Sequence, residues 1–516
     1  MSVRTEPPAR TTAGAERGAA DRAPRTLLVA AVVAAVLLGL AAGWLASGRQ
    51  PVIALLTPLL LVPLLLWRQV QAGLVILLAG VVLIEQFTYF VGEREGAFTS
   101  TIPFFSSISP GTGIYPGDVL LLMVTVIWVL QCVRDRRPLL HSTPLARRLL
   151  AYCALVAVYF VVGLARGGDL AIAVTEVRPF VYLGLCYVLA ASVLVAERTI
   201  TVLLWVFVLG SASKAAYGVL IFLSIRSLDA RPEAVLSHEE SFFFGLYVFL
   251  TLGAWLFGVE GRLRTVATWL LPIVVLANAV NSRRTAWAIL VCGSLLLMAV
   301  CYVAVPARRH VLRRVAAAGL VVLVVYLPLF WERSGTLAQP ARALRSVVAP
   351  DPRDAQSDEY RYLENANLEQ NIRASGSTGV GFGIPIDYAI PIPDITTIAS
   401  LISHVPHNGL YWLWFRTGIL GQVLFWLVVA EALAAASRLA RAGSGVTALL
   451  GALTASAVVA YVIMGEVDLG LYWYRLAVCM GLLLGAVEAR SRVVGVARPV
   501  LSARRPGTVA ERARSA

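Results

Sequence analysis

Two histidines and an asparagine lie within residues 403–409, where a long polar stretch runs into an apolar one. An imidazole accepts a proton near neutral pH, so His407 is a candidate general base for an attacking hydroxyl. Pro406 suits a helix start, since a missing N–H costs nothing there. We therefore predict a membrane helix from about residue 407, with His404 and Asn408 as supporting groups beside His407.

Ionisable side chains recur within or beside the apolar segments. They are Glu85, Glu176, Arg178, Lys214, Arg416, Glu466, Asp468 and Arg475. A charge at the bilayer centre costs on the order of 2.5–3.5 kcal/mol, so each one needs a partner or a function. For single residues, neutralisation in pairs such as Glu176 with Arg178, or Asp468 with Arg475, is an equal alternative. For the whole set we predict a polar cavity that opens at the outer face.

Arginines give this cavity a chemistry. Guanidinium groups bind phosphate oxygens in pairs and stay charged at any working pH, which suits a lipid-linked phosphate or diphosphate. Arg283 and Arg284 lie at a predicted outer turn, and Arg178 lies in the outer half of a span. From membrane position alone, Arg178 and Arg284 are candidate diphosphate ligands. A transfer reaction in which a diphosphate leaves and arginines stabilise its charge requires no ATP.

The composition places these residues in a membrane protein. Of the 516 residues, 58% are hydrophobic and 14% charged, with a mean hydropathy of +0.76. A soluble domain carries roughly 25% charged residues. Apolar runs long enough to cross a bilayer recur along the chain. We predict an all-α polytopic membrane protein with about 14 transmembrane helices and one large outer loop that contains short helices.

The basic residues predict the orientation. The expected spans are 27–46, 52–67, 71–91, 118–133, 149–165, 171–195, 199–225, 241–258, 265–281, 285–305, 312–330, 407–436, 446–464 and 470–489. With the N-terminus inside, most arginines of the short links fall on the cytoplasmic side. The net charge of +14 therefore indicates membrane topology and no nucleic-acid partner. We expect a protein of the bacterial plasma membrane with both termini in the cytoplasm.

Five regions follow from these spans. Residues 1–26 are expected to form a disordered cytoplasmic tail, 27–330 a bundle of about eleven helices, and 331–406 a large extracytoplasmic loop. Residues 407–489 then hold the last helices, and 490–516 form a basic cytoplasmic tail. Within the large loop, polar and acidic residues at the start and a partial apolar stripe predict a helix over 357–372. The glycines at 376–383 predict a non-helical run that ends at Pro385.

Several other patterns carry no chemistry. The six cysteines show no C-x-x-C spacing, so neither a disulfide framework nor a metal knuckle is predicted. His404 and His407 lack an evident third metal ligand. The Gly379–Gly383 run superficially resembles a nucleotide loop but lacks the strand-turn-helix context. We expect neither metal nor cofactor.

The C-terminal half resembles the O-antigen ligase and polymerase family of membrane glycosyltransferases. The resemblance lies in a Ser282-Arg283 turn, a large outer loop with Arg361 on a helix, and a Gly-Val-Gly-x-Gly stretch around Gly381. It also includes His407-Asn408, followed by Gly-x-x-Gly at 418–421. The N-terminal half matches the family only in hydropathy. The family often has an acidic residue where this chain has Arg416, so no role is carried over to that position.

The resemblance implies metal-independent transfer of a glycan from a polyprenyl-diphosphate donor to a glycan or lipid acceptor at the outer face. It implies that Arg283 and Arg361 hold the diphosphate and that His407 activates the acceptor hydroxyl. Gly381 would support this site. These three side chains must then converge from distant parts of the chain.

Two alternatives remain open. A polymerase of lipid-linked repeat units would use the same donor chemistry with a second glycan as acceptor. A transporter or flippase for lipid-linked sugars would also use many spans and a basic cavity. Transporters commonly contain internal repeats, and none is evident between the two halves of this chain. The oligomeric state, the sugar and the acceptor do not follow from the sequence.

Overall fold

The computed structural model describes residues 63, 65–86, 90–91, 94–95, 102, 104–105, 113–225, 234–333, 335–395 and 401–497. The predicted N-terminal tail, the span 27–46, most of the span 52–67 and most of the C-terminal tail lie outside these residues. The described part is mainly helical, as predicted. Its strands form a hairpin of two-residue antiparallel strands, β1 (Phe90–Val91) and β2 (Arg94–Glu95).

Fourteen helices follow one another along the described residues. They are α1 Val70–Leu83, α2 Pro116–Arg134, α3 Pro144–Ala165, α4 Leu170–Val193, α5 Glu197–Ile225, α6 Glu240–Leu256, α7 Arg262–Val280, α8 Arg284–Ala304, α9 Arg309–Phe330, α10 Gln339–Val348, α11 Pro352–Ala374, α12 Gly409–Ala442, α13 Gly445–Val467 and α14 Tyr474–Val494. Short 3₁₀ turns precede α9 and α10, at Pro306–Arg308 and Thr336–Ala338. All helices except α10 and α11 occupy predicted spans.

Nine helices of the described residues are long and apolar enough to cross a membrane. Helices α1 and α6 are apolar but shorter, and α14 carries Arg475, Glu488, Arg490 and Arg492. The total of 14 spans and the division into five regions therefore stay predictions. The expected span 71–91 is too long: α1 ends at Leu83, where Ile84 turns to an extended conformation.

Small residues let the central helices approach closely. A Cβ on Gly485 of α14 would lie 2.5 Å from the carbonyl oxygen of Tyr187 in α4. Gly451 of α13 lies equally close to α12, since its Cβ would be 2.5 Å from the Ala440 nitrogen. Such contacts are typical of membrane helices, whose association depends on close packing. Helices α4, α12, α13 and α14 thus form the tightly packed centre that holds the site.

The connections between helices meet at two ends of the bundle. At one end, which we call the site end, the α7–α8 turn contacts α11 through Arg284 and Asp358, and Asp169 before α4 contacts Gly383. At the other end, Arg148 pairs with Glu431 at 2.6 Å. The connections named at the site end are all links that the predicted spans place on the outer side of the membrane. The structure therefore agrees with the predicted order of the links, whereas which end faces the outside stays a prediction.

The predicted loop helix is confirmed and is longer than expected. Helix α11 spans Pro352–Ala374 and begins five residues earlier than predicted. Asp351 is its N-cap, since its side chain accepts a hydrogen bond from the Asp354 N–H at 2.9 Å, and Pro352 occupies the first turn. A capping aspartate followed by proline defines a helix start well.

Candidate functional site

The start of α12 positions the histidine segment. Helix α12 begins at Gly409, two residues after the expected start at about residue 407, and Pro406 lies outside the helix. Asn408 is the N-cap, and its Oδ1 accepts hydrogen bonds from the N–H groups of Leu410 at 3.1 Å and Tyr411 at 3.0 Å. An asparagine cap satisfies two of the free N–H groups of a helix start, which proline cannot do. Asn408 therefore holds His407 just outside the helix.

His407 is paired with a buried carboxylate. Its Nδ1 lies 3.2 Å from Oε1 of Glu364, and its backbone N–H donates to Oε2 of Glu364 at 3.0 Å. Glu364 is fully buried, whereas the His407 side chain remains 22% exposed. An ionised carboxylate can only accept hydrogen bonds, so the neutral imidazole that pairs with it carries its proton on Nδ1 and has a lone pair on Nε2. This arrangement orients an imidazole to accept a proton at Nε2.

Glu364 is the site residue that the sequence analysis missed. It lies three residues after Arg361 on α11, so both side chains project from the same face of the helix. This spacing was available in the sequence. It could have been noticed once the loop helix was predicted. The pairing with His407, however, joins residues that lie 43 positions apart.

Arg361 and Arg283 have no hydrogen-bond or ion-pair partner among the described residues. Both are half-buried, and Nε of Arg283 is buried without an acceptor. Burial lowers the pKa of Arg283 to about 10. The charge of Asp468 opposes this shift, and the charge of Arg361 adds to it. Leaving a buried donor unsatisfied costs about 1–3 kcal/mol, and more for a charged group. Arg283 is in this state, and the two half-buried guanidinium groups without ion-pair partners are suited to an anion.

Asp468 brings the groups of the site together. Burial raises its pKa, but His238, Arg361 and His407 outweigh that effect and hold the pKa of Asp468 below its usual value. His238 contacts Asp468 directly through Nδ1. Burial and then the charge of Arg283 lower the pKa of His238. Asp468 thus interacts electrostatically with Arg283, Arg361 and His407, which come from three separate elements.

Tyr360 lies against the imidazole. Its ring meets that of His407 edge to face, with the centroids 5.7 Å apart, and its hydroxyl is buried without a partner. Burial, reinforced by Glu364, raises the pKa of Tyr360. The hydroxyl therefore stays protonated and offers a further free donor next to His407.

Arg284 is not free to bind a ligand in the same way. Its Nη1 and Nη2 donate to the two oxygens of Asp358 at 3.0 and 2.6 Å, and Asp354 lies 3.8 Å away. This bidentate ion pair fastens the start of α8 to α11. Its expected role in diphosphate binding stays a prediction that this geometry does not favour.

Arg178 belongs to a different cluster. Its guanidinium lies 3.8 Å from the ring centroid of Tyr115, and Nε lies 3.5 Å from Asp118. Nη2 donates to the Gly113 carbonyl at 2.5 Å. These contacts join α4 to the start of α2. The expected role of Arg178 as a diphosphate ligand is likewise not favoured by its contacts.

The glycine run around Gly381 is a packing segment. It follows α11 as the predicted non-helical run, and Gly381 has φ +90. A Cβ on Gly381 would lie 2.2 Å from the Gly163 nitrogen, so only glycine fits. Helix α12 breaks at Gly418, and Val380 and Gly381 donate to the freed carbonyls of Phe415 and Arg416, each at 2.9 Å. Gly381 supports the site by fixing the loop against the bundle.

Arg416 organises the same loop from inside the bundle. It is fully buried and pairs with Glu176 at 2.6 Å. Its guanidinium also donates to the carbonyls of Ile384 at 2.5 Å and His404 at 2.8 Å. The arginine therefore neutralises a buried carboxylate while it holds both ends of the 384–404 stretch. The contacts of Arg416 are therefore structural.

The expected pairing of these charges is wrong, whereas the expected polar cavity at the outer face stays a prediction. Glu176 pairs with Arg416 instead of Arg178, while Arg475 pairs with Glu239 and, at 2.8 Å, with Glu240. Lys214 contacts Glu85. These side chains are buried, so they neutralise one another across helices instead of lining an open cavity. Buried charges are retained at low cost only when they are paired in this way.

His404 has a local role. Its Nδ1 lies 2.9 Å from the Ser403 hydroxyl, and burial followed by the charge of Arg416 lowers its pKa. Its backbone carbonyl, not its imidazole, contacts Arg416. Within the described residues, no group of three His, Cys, Asp or Glu side chains is placed to hold a metal ion.

No protein-family model matches this chain, and no curated protein matches it in sequence. The arrangement of the site therefore carries the functional argument. Its parts are an oriented imidazole, two unpaired guanidinium groups and a free phenol, gathered at one end of a bundle of apolar helices.

Proposed function

We propose that this protein is a membrane glycosyltransferase that moves a glycan from a polyprenyl-diphosphate donor to an acceptor hydroxyl. The observation that carries the proposal is that helix α11 joins the elements of all three residues, Arg283, Arg361 and His407. Arg361 lies on α11 between Asp358, which binds Arg284 next to Arg283, and Glu364, which binds His407. The resemblance to the O-antigen ligase family selects the same three residues. The contacts of these residues do not depend on any family pattern, so they support the proposal independently of the resemblance.

The proposed reaction uses the free atoms of the site. Nε2 of His407 accepts the proton of the acceptor hydroxyl, and the acceptor oxygen bonds to the anomeric carbon of the glycan. The bond from that carbon to the diphosphate breaks, and its electron pair leaves on the diphosphate oxygen. Arg283 and Arg361 bind this developing charge, which is the kind of preorganised stabilisation that accelerates transfer most. Glu364 orients the imidazole and stabilises its protonated form.

The proposed setting is a bacterial plasma membrane, with 14 spans, both termini in the cytoplasm and the site at the outer face. A donor with a long polyprenyl chain would remain in the bilayer while its diphosphate reaches the site end. The acceptor is a glycan or a lipid. Neither ATP nor a metal takes part in the proposed step.

The test is transfer by the purified protein, with a polyprenyl-diphosphate glycan and candidate acceptors, in EDTA and without ATP. The wild-type protein should form product, and His407→Ala should lower the rate by about 10²–10⁴-fold, the contribution of a positioned base. His404→Gln is the matched control and should retain most activity, because within the described part of the chain the His404 imidazole forms a hydrogen bond only with Ser403. Normal product from His407→Ala would exclude the base.

The same assay separates the alternatives. A single addition indicates a ligase, whereas a ladder of products indicates a polymerase of repeat units. If reconstituted vesicles move the lipid-linked glycan across the bilayer and form no product, the protein is a transporter. That outcome would overturn the proposal of an enzyme.

A further inference from the structure

Helix α10 exposes its apolar face. Leu344, Val347 and Val348 are 48%, 78% and 73% exposed, and Leu337 in the preceding turn is 77% exposed. Their spacing of three, four and seven residues places them on one side of the helix. On the opposite side, Ser346 is buried and Gln339 is half-buried. A soluble loop helix would show the reverse arrangement, so this face needs a partner.

The position of α10 identifies that partner. It follows α9, a membrane-type helix whose apolar segment is only 6% buried, so nearly every side of α9 is open to a surrounding bilayer. The Tyr326 hydroxyl of α9 donates to the Leu337 carbonyl at 2.6 Å. Arg345 of α10 donates to the carbonyl of Trp331, just after α9, at 2.7 Å. These bonds hold α10 at the level where α9 leaves the bilayer.

We propose that residues 336–348 form an interfacial segment whose apolar face lies in the surface layer of the bilayer. An amphipathic helix in the membrane plane buries its apolar side chains at the boundary of headgroups and acyl chains. Arg333 is exposed at the same level and stacks on Phe330, with 5.5 Å to the ring centroid. A cation in that position suits a lipid phosphate.

The buried face of α10 connects this lipid contact to the candidate site. Gln339 donates to the Ser282 hydroxyl at 3.1 Å, directly before Arg283. Arg342 pairs at 2.6 Å with Asp351, the N-cap of α11. The bilayer surface thus fixes the depth of both elements that carry the unpaired arginines. The inference does not depend on glycan transfer.

The experiment compares two side chains of equal exposure. Val348 on α10 and Tyr362 on α11 are each 73% exposed. Single variants Val348→Cys and Tyr362→Cys, made in a Cys292→Ala background, are labelled with an environment-sensitive fluorophore and reconstituted in liposomes. Some of the liposome lipids carry a nitroxide on the upper acyl chain. Val347→Cys serves as a second probe of α10.

The label on Val348 and Val347 should emit at shorter wavelength and be quenched several-fold by the nitroxide lipid, whereas the label on Tyr362 should not. Unquenched, water-like emission from both α10 positions would overturn the proposal. Energy transfer between labels on separate copies, without quenching by lipid, would also overturn it. That result would assign the face to a second copy of the chain.

Discussion

The arginines of this protein fall into two groups that differ in their partners. Arg416 and Arg475 are fully buried, and acidic side chains from other helices neutralise both. Arg283 and Arg361 are half-buried and have no partner among the described residues. The comparison shows that a charge beside an apolar segment does not by itself indicate a site. A guanidinium group without an ion-pair partner is the better indicator, because folding leaves a charged group unpaired only at a cost.

The largest expected effect concerns the paired group. Arg416→Met leaves Glu176 charged and buried without a cation, which should destabilise the fold by about 3–5 kcal/mol. The double variant Arg416→Met/Glu176→Leu removes both charges and should recover part of this loss. Thermal unfolding in detergent measures both. If the double variant is no more stable than the single one, the pair is not the reason for the burial of Arg416.

The unpaired group should behave in the opposite way. Arg361→Lys and Arg283→Lys keep the charge but lose the fork that binds two phosphate oxygens, so transfer should fall by about 10²–10³-fold. Thermal stability should hardly change, since no partner is lost. Arg373→Lys, at an exposed position of the same helix, is the control and should be active. Full activity of Arg361→Lys would exclude bidentate binding.

A smaller effect is expected for the carboxylate behind His407. Glu364→Gln should lower kcat by about one to two orders of magnitude, which is part of what a positioned base contributes. KM for the donor should change little, because Glu364 orients the imidazole and does not contact the arginines. Steady-state transfer kinetics give both constants. A rise in KM with unchanged kcat would instead assign Glu364 to donor binding.

The smallest effect is a pH dependence. The lowered pKa of His238 means that the folded protein disfavours its charged form. Its contribution to stability is therefore complete above the unfolded pKa of about 6.5 and is lost as pH falls below that value. His238→Asn should flatten the fall in thermal stability between pH 8 and pH 5. His310→Asn, at an exposed position, should leave the slope unchanged.

Much of the architecture was predictable because the bilayer imposes it. A lipid-exposed backbone must satisfy its own hydrogen bonds, so a long apolar run in a membrane forms a helix. The predicted helices and the loop helix at 357–372 follow from that rule and from local caps. Boundaries were less accurate, as at Leu83 and Gly409, because an N-cap or an extended residue can end a helix inside an apolar or polar run.

The partners of the charges were not predictable in the same way. Glu176 and Arg178 are near neighbours in sequence, which favoured a local pair, yet they point into different clusters. Glu364 was overlooked because its only signal, a place one turn after Arg361, is common to many solvated helices. The sequence indicated Gly381 as part of a glycine motif, but only the packing of the helices shows its backbone contact with Gly163.

The sequence alone determined that this chain forms apolar helices joined by a long polar loop, because hydropathy and capping are local properties. It also indicated His407, Arg283 and Arg361 as candidates. Only the tertiary structure decided which charges neutralise one another and which stay unpaired. That distinction depends on distances between helices far apart in sequence, and no local pattern of residues encodes those distances.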